Sequence, residues 1–119
     1  MRNVPITLIS TVDTATVTSA AVDASQIVSA SFQFSFGDAS VAGTATVQVS
    51  NDPPMNGLNG EGLFVPTHWT NYATPTTITA GASVQILIPQ SAYRWLRAVF
   101  TYTSGGSSTI ICNMTGTYL

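Results

Sequence analysis

The stretch Ser31-Phe32-Gln33-Phe34-Ser35-Phe36 decides the fold class, because every second residue is a phenylalanine and the residues between them are polar. Successive side chains of a β-strand point to opposite faces, so this alternation predicts a strand with one buried and one solvated face. The same period of two recurs at 46–50 and 83–88, in segments rich in Val, Ile and Thr, which favour strands. The sequence therefore predicts an all-β protein.

Turn signals divide the chain on both sides of this stretch. Gly37-Asp38, Asn51-Asp52-Pro53-Pro54 and Gly105-Gly106 are combinations typical of turns. About eight short strands in 119 residues predict a single antiparallel β-sandwich domain over residues 1–119, with a jelly roll as the leading architecture. The strands are predicted near residues 4–12, 14–19, 26–36, 41–50, 67–72, 76–88, 93–103 and 108–118.

Charged residues make up only 7% of the chain, against a usual share of about 25%. Lysine is absent, and Arg2, Arg94 and Arg97 are the only arginines. No cluster of cations can neutralise a run of phosphates or hold the chain on anionic lipid, which argues against nucleic-acid and membrane partners. A formal net charge of -2 gives little repulsion between copies, so we expect a homo-oligomer.

The compartment follows from the N-terminus and the cysteine count. No run approaches the ~18 consecutive apolar residues of a membrane helix. The first residues lack the apolar core of a signal peptide, and Cys112 is alone, so it forms no internal disulfide. We expect a protein made in the host cytoplasm and not secreted.

Two segments carry apolar residues that a partner could cover. The glycine- and proline-rich segment 52–66 is long for a loop in a compact domain, and such loops are often functional. Its apolar residues either cap an open end of the sandwich or form a contact loop ordered by a partner. The segment 4–12 has no lysine to protect a strand edge, so we expect it to be paired within its own sheet or with another subunit. The candidate interface residues are Ile6, Leu8, Met55, Leu58, Leu63 and Phe64.

Gly105-Gly106 suits the type I′ turn of a two-residue hairpin, because glycine accepts the positive φ that both turn positions need. Counting outward from that turn, Trp95 faces Gly116 and Arg97 faces Met114. Both faces of this predicted hairpin are largely apolar, which requires a covering layer on each side. The second layer is either the N-terminal strands or a neighbouring subunit.

The chain is poor in groups that carry catalysis. His68 is the only histidine, and no G-x-S-x-G elbow supplies a nucleophile. Cys112 lies in the middle of a predicted strand, where it packs as a small apolar residue. One histidine and one cysteine exclude a zinc site, and the carboxylates in turns show no calcium-loop spacing. We therefore expect no enzyme, no catalytic or metal residue and no cofactor.

Two smaller expectations concern individual side chains. Trp69 and Tyr72 are the candidates for an aromatic platform that binds a glycan, while Trp95 is assigned to the core. Arg97 lies between apolar residues in a predicted strand, where an unpaired guanidinium is costly to bury. Asp52, at the end of the strand that carries Val47 and Val49, is its expected carboxylate partner.

Four short segments carry a resemblance: VQVSND at 47–52, WTN at 69–71, YRWLRAV at 93–99 and TSGG at 103–106. They resemble small jelly-roll modules in structural proteins of tailed bacteriophages, which occur in capsid decoration (cement) proteins and in tail or fibre heads. The same outline is similar to discoidin-like sugar-binding sandwiches. The resemblance covers about residues 41–118. The chain departs from the lectin pattern in lacking a calcium or sugar-contact set and in the long glycine-rich segment before Trp69.

The resemblance implies a protein that assembles symmetrically on a particle. We therefore expect a virion structural protein, of the capsid decoration kind, that stabilises the particle through contacts with its own copies and with the major capsid or other virion proteins. The alternative is a glycan-binding module of a phage fibre or tail tip. In both cases the expected location is the virion.

Overall fold

The computed structural model describes residues 1–13, 15–52, 66–106 and 108–119. All regular elements in these ranges are strands, as the alternating sequence predicts. No helix among the described residues is long and apolar enough to span a membrane. The strands are β1 (Arg2–Asp13), β2 (Val17–Thr18), β3 (Val22–Asp23), β4 (Ile27–Phe36), β5 (Ala42–Ser50), β6 (Thr70–Asn71), β7 (Thr76–Ile78), β8 (Val84–Ile88), β9 (Trp95–Ser104) and β10 (Ser108–Tyr118).

The strands form two antiparallel sheets packed as a sandwich. The four-stranded sheet has the order β1-β10-β4-β8. The six-stranded sheet has the order β2-β9-β5-β6, with β3 also paired to β9 and β7 to β5. If β2 with β3, and β6 with β7, are each counted as one interrupted strand, eight strands remain, and their order in the two sheets is that of a jelly roll. The predicted architecture is confirmed.

The core lies between the sheets and is built from every second residue of the long strands. Phe32 and Phe34 of β4 and Leu96 and Phe100 of β9 belong to one hydrophobic cluster, and all four are fully buried. Cys112 in β10 is also fully buried, and this burial raises the pKa of its thiol to about 12. The thiol is therefore protonated at physiological pH and packs as a small apolar group. The other large buried side chains are Val41, Val47, Ile78, Ile88, Ile110 and Met114.

The N-terminal strand is paired within its own sheet, which was one of the two predicted outcomes. β1 runs antiparallel to β10 from the pair Arg2–Tyr118 to the pair Asp13–Ser108. The register shifts between Thr7 and Ile9. Leu8 is the extra residue of this irregularity, because Thr7 and Ile9 pair with the consecutive residues Asn113 and Cys112. Ile6 and Leu8, predicted as interface residues, are half-buried and pack against the chain's own core.

The predicted hairpin between β9 and β10 is wrong, because the two strands lie in different sheets. Trp95 pairs with Ser50 and Asp23 rather than with Gly116, whose neighbours are Val4 and Ala30. Gly105, with φ of 109°, turns the chain from one sheet into the other. The inward-facing apolar residues of the two strands share a single core between the sheets. Val99 and Ile111, which alternate with them, lie outside that core.

The predicted strand 76–88 is likewise divided between the sheets. Ala80 and Gly81 both have positive φ, 52° and 62°, and end the first part. β7 then pairs with β5 in one sheet, and β8 pairs with β4 in the other. The Ala80-Gly81 turn signal that the sequence contains therefore marks a crossing between sheets.

Candidate functional site

Asp52 joins two parts of the chain that are separated in sequence. It follows β5, and its carboxylate accepts hydrogen bonds from the backbone N–H groups of Thr67 (2.7 Å) and His68 (3.0 Å). Nδ1 of His68 lies 3.1 Å from the same carboxylate. The two backbone N–H bonds are the main cause that lowers the pKa of Asp52 below its ordinary value. Residues 67 and 68 are thus fixed beside the end of β5.

Arg97 has partners other than the predicted Asp52. Its Nε donates to Oε1 of Gln48 (2.8 Å), the residue directly opposite it in the β5–β9 register. Its guanidinium carbon lies 4.2 Å from the ring centroid of Trp69, a cation–π contact. The expected ion pair between Arg97 and Asp52 is therefore not formed. Asp52 bonds to His68 instead, and Arg97 bonds to Gln48, its cross-strand neighbour. Desolvation lowers the pKa of Arg97, but an arginine stays charged.

The predicted glycan platform of Trp69 and Tyr72 is divided between two sides of the six-stranded sheet. The indole N–H of Trp69 donates to the carbonyl of Pro66 (3.1 Å), and Arg97 covers its ring. Tyr72 packs against the core instead, and its ring lies edge to face against that of Tyr93, with centroids 6.1 Å apart. The aromatic pair that the structure brings together is therefore Tyr72 and Tyr93.

These two tyrosines line a cleft of about 510 Å³ beside β6 and the end of β5. Sites for small ligands usually have volumes of about 300–1,000 Å³. We call it the tyrosine cleft. It combines aromatic rings with amide, hydroxyl and imidazole groups, and it is lined by Val49, Ser50, Asn51, Asp52, His68, Thr70, Asn71, Tyr72 and Tyr93.

Three polar side chains at the border of the tyrosine cleft are held in place by hydrogen bonds, and that of Asn71 lies on the same side of the sheet as Gln48, its cross-strand partner. Oδ1 of Asn51 accepts the backbone N–H of Arg94 (2.9 Å), and Oδ1 of Asn71 accepts Nε2 of Gln48 (3.1 Å). His68 is held through Nδ1 by the carboxylate described above. Each of the three keeps its other polar atom for a ligand or water. Sequence reasoning did not assign Asn51, Asn71 or Tyr93 to a site, although all three lie in the segments that carry the resemblance, because nothing in their spacing places them together.

The pair of His68 and Asp52 has the geometry in which a carboxylate orients an imidazole. Because a carboxylate only accepts, the neutral ring carries its proton on Nδ1 and presents Nε2 as an acceptor. Nucleophilic catalysis needs a hydroxyl bonded to that nitrogen, and no described residue forms such a bond. No three His, Cys, Asp or Glu side chains in the described ranges are placed to hold a metal ion. The described groups of the cleft are equipped for hydrogen bonding.

The outer side of the four-stranded sheet is a second distinctive surface, which we call the flat face. Its residues lie in register rows across β1, β10, β4 and β8, and all are exposed or half-buried. None of them is charged. The residues are Asn3, Pro5, Thr7, Ser10, Val12, Ser29, Ser31, Gln33, Ser35, Gln85, Leu87, Thr109, Ile111, Asn113, Thr115 and Thr117.

Some polar side chains of the flat face form hydrogen bonds with one another, and some of its apolar side chains are exposed. Oγ1 of Thr7 donates to Oδ1 of Asn113, and Oγ1 of Thr117 donates to Oδ1 of Asn3, both at 2.8 Å. Leu87 is 59% exposed, at the edge of a groove on this face. A surface without charges avoids the large desolvation cost of burying ions, and a partner that covers it must supply hydrogen bonds to its exposed hydroxyl and amide groups.

The remaining predicted interface residues lie outside the described ranges. These residues are Met55, Leu58, Leu63 and Phe64, within 53–65.

Comparison with known proteins gives a fold and no family. No family model matches the chain, and no curated protein matches it in sequence. A solved structure described as PirA is similar over 97% of this chain and 93% of its own, with a TM-score of 0.52 and 13% identity. This likeness supports the sandwich fold alone.

Two further solved structures are less similar. Infectious bursal disease virus, Gx strain, matches at a TM-score of 0.44 and 17% identity, over 96% of this chain and 32% of that one. A chitosan-binding module of a Paenibacillus chitosanase/glucanase matches at a TM-score of 0.47 and 17% identity, over 95% of this chain and 92% of the module.

Proposed function

We propose that this chain is a virion structural protein, of the capsid decoration (cement) kind, that acts through protein–protein contacts. The observation that supports this proposal is the flat face: a regular surface across four strands without one charged side chain. On this proposal the flat face packs against the same face of a second copy, and the resulting oligomer binds the capsid.

Charge and area both favour a second copy as the occupant. A face that meets its own copy around a two-fold axis brings like residues together, so any charge near the axis would repel its equivalent. The flat face has none. With β4 ten residues long, strands about 4.8 Å apart and a rise of about 3.3 Å per residue cover roughly 600 Å² per subunit. Two such faces bury about 1,200 Å², the lower limit of specific interfaces.

The test introduces a charge at the centre of the face. Gln33 is exposed in β4, so Gln33→Lys leaves the fold unchanged and places two cations in one interface. The matched control is Gln90→Lys, an exposed position after β8 and outside the face. Light scattering after size exclusion should show an oligomer for the wild type and the control, and a monomer for Gln33→Lys. A wild type that stays monomeric at high concentration contradicts the proposal.

Binding to the capsid is tested separately. The chain is co-expressed with the major capsid protein of its own genome, and the assembled particles are sedimented. The wild type and Gln90→Lys should sediment with the particles, and Gln33→Lys should remain in the supernatant. If an oligomer forms but does not sediment with the particles, the proposed self-association stands and the proposed capsid decoration is contradicted.

A further inference from the structure

We propose that the tyrosine cleft binds a neutral saccharide. The site shares no residue with the flat face, so this inference is independent of the assembly proposed above. It rests on three features of the cleft: an aromatic pair, a set of polar atoms that have no hydrogen-bond partner among the described residues, and the lack of an available charge among the described lining residues.

The aromatic pair supplies a surface for the C–H groups of a sugar ring. Tyr72 and Tyr93 are both half-buried, and their rings are nearly perpendicular, at 86°. Packing against the core and against each other restricts both rings, so little side-chain entropy remains to be lost on binding. Tyrosine combines an apolar ring with a hydroxyl, which matches a ligand whose faces are apolar and whose rim is polar.

The polar atoms match a ligand with several hydroxyl groups. Among the described residues, no hydrogen bond involves the hydroxyls of Tyr72 and Tyr93, Nδ2 of Asn51 and Asn71, or Nε2 of His68. Amide nitrogens donate, the neutral imidazole Nε2 accepts, and phenol hydroxyls do both. A sugar hydroxyl also donates and accepts, so it can use every one of these atoms. The side chains of Asn51, Asn71 and His68 are oriented in advance by the bonds to Arg94, Gln48 and Asp52, which lowers the entropic cost of binding.

The charges around the cleft favour a neutral ligand. The carboxylate of Asp52 is already occupied by three N–H groups, and its side chain is only 10% exposed, so it is poorly placed to bind a cationic amino sugar. The nearest arginine side chain in sequence, Arg94, is 3.7 Å from Asp23 and stacks near Trp95. An acidic sugar therefore finds no free guanidinium lining the cleft. A peptide would instead use backbone pairing along a sheet edge, and β6 offers only two residues for it.

The experiment has a screening arm and a titration arm. The full chain is applied to an array that carries neutral, sialylated and free-amino glycans and, as a separate panel, peptides. Binding is then measured by titration of tryptophan and tyrosine fluorescence with β-linked tetrasaccharides of galactose and of N-acetylglucosamine, and with each array hit. The expected result is binding to neutral glycans and not to the other panels.

Variants locate the binding in the cleft. Asn71→Ala removes one oriented donor and should weaken binding about three- to tenfold. Tyr93→Ala should weaken it about tenfold or more, and Asn51→Ala replaces it as the second variant if Tyr93→Ala fails to fold. The matched control is Gln90→Ala, which removes an exposed amide outside both the cleft and the flat face, and this variant should bind as the wild type does. The proposal is overturned if no neutral glycan binds, if only charged glycans or peptides bind, or if Asn71→Ala binds like the control.

Discussion

The flat face and the tyrosine cleft are two outward surfaces of the described part of the chain, and they are built in opposite ways. The flat face stands on long strands, with twelve residues in β1 and eleven in β10. Its side chains repeat at the spacing of the sheet. The cleft lies beside a strand of two residues, β6, and its side chains come from the ends of strands and the segments between them.

This difference determines which kind of partner each surface suits. A regular strand places every second side chain at the same height, which produces a broad surface that another broad surface can cover. The end of a sheet lets each side chain be oriented by its own hydrogen bond, as Asn51, Asn71 and His68 are. Such positions suit a small ligand that needs several polar atoms in one place. Large area and individual orientation are therefore provided by separate parts of one fold.

The largest expected effect is a difference in stability between substitutions on the two sides of the four-stranded sheet. Phe34 is fully buried, while its neighbour Gln33 lies exposed on the flat face. Phe34→Ala should lower the free energy of unfolding by about 3–5 kcal/mol, because it leaves a cavity between the sheets. Gln33→Ala should change it by less than about 0.5 kcal/mol. Urea denaturation measures both. A comparable loss for Gln33→Ala would mean that the flat face serves stability rather than contact.

The next effect concerns the crossing that connects the two sheets. Gly105 has a positive φ of 109°, which residues other than glycine rarely adopt. A Cβ added at this residue would also collide with the backbone carbonyl of Ser40. A Cβ at Gly106 would meet Oδ2 of Asp38 at 2.5 Å, a side-chain atom that can move. Gly105→Ala should therefore cost about 1–3 kcal/mol and Gly106→Ala clearly less. Thermal unfolding of the two variants measures this, and equal losses would instead favour the symmetrical hairpin turn that the sequence predicts.

That crossing shows where sequence reasoning reaches its limit. The alternation of apolar and polar residues is local, and it predicts β4, β5, β9 and β10 closely. The sheet to which a strand belongs is not local, because a glycine pair has the same backbone freedom in a hairpin and in a crossing. A jelly roll places its last two strands in opposite sheets, so the predicted fold and the predicted hairpin excluded each other. The jelly-roll prediction is confirmed, and the hairpin prediction is wrong.

The candidate site was predictable only in part, for a similar reason. The sequence predicted a carboxylate partner for Arg97 and favoured Asp52, but the structure pairs Arg97 with Gln48 and Asp52 with His68. The choice of partner depends on strand register, and register places Gln48 opposite Arg97. Tyr93 and Asn51 carry no periodic signal, and they become neighbours only because the segments after β5 and before β9 meet at the same end of the sandwich.

Acid should weaken the end of the sandwich that carries the cleft. The pKa of Asp52 is lowered in the folded state, so its charge stabilises the fold above the ordinary carboxyl pKa of about 3.9 and ceases to do so as pH falls toward the lower folded value. Asp52→Asn removes this stabilising charge but keeps an oxygen that accepts hydrogen bonds. The difference in Tm between wild type and variant should be constant from pH 7 to about pH 5 and should shrink below about pH 4.

The control for the acid experiment is Asp38→Asn. The pKa of Asp38 is also lowered, mainly by the side-chain hydrogen bond from Ser40, but this residue lies far from the cleft lining in sequence and contacts. Both variants should show the same sign of pH dependence, and only Asp52→Asn should weaken saccharide binding at pH 7. A Tm difference for Asp52→Asn that grows on acidification would show that its charge is unfavourable in the folded protein.

The smallest expected effect tests whether the outer side of the six-stranded sheet is coupled to the cleft. Arg97 stacks on Trp69 and donates to Gln48, and Gln48 in turn orients Asn71 in the cleft. Arg97→Met keeps an unbranched chain over the indole but loses the cation–π contact and the hydrogen bond, so it should cost about 0.5–1 kcal/mol. Because Gln48 is then free to turn, saccharide binding should weaken about twofold to threefold, less than for Asn71→Ala. Denaturation and fluorescence titration measure the two quantities. Binding that is unchanged in Arg97→Met while Asn71→Ala loses it would show that Gln48 holds Asn71 without help from the arginine.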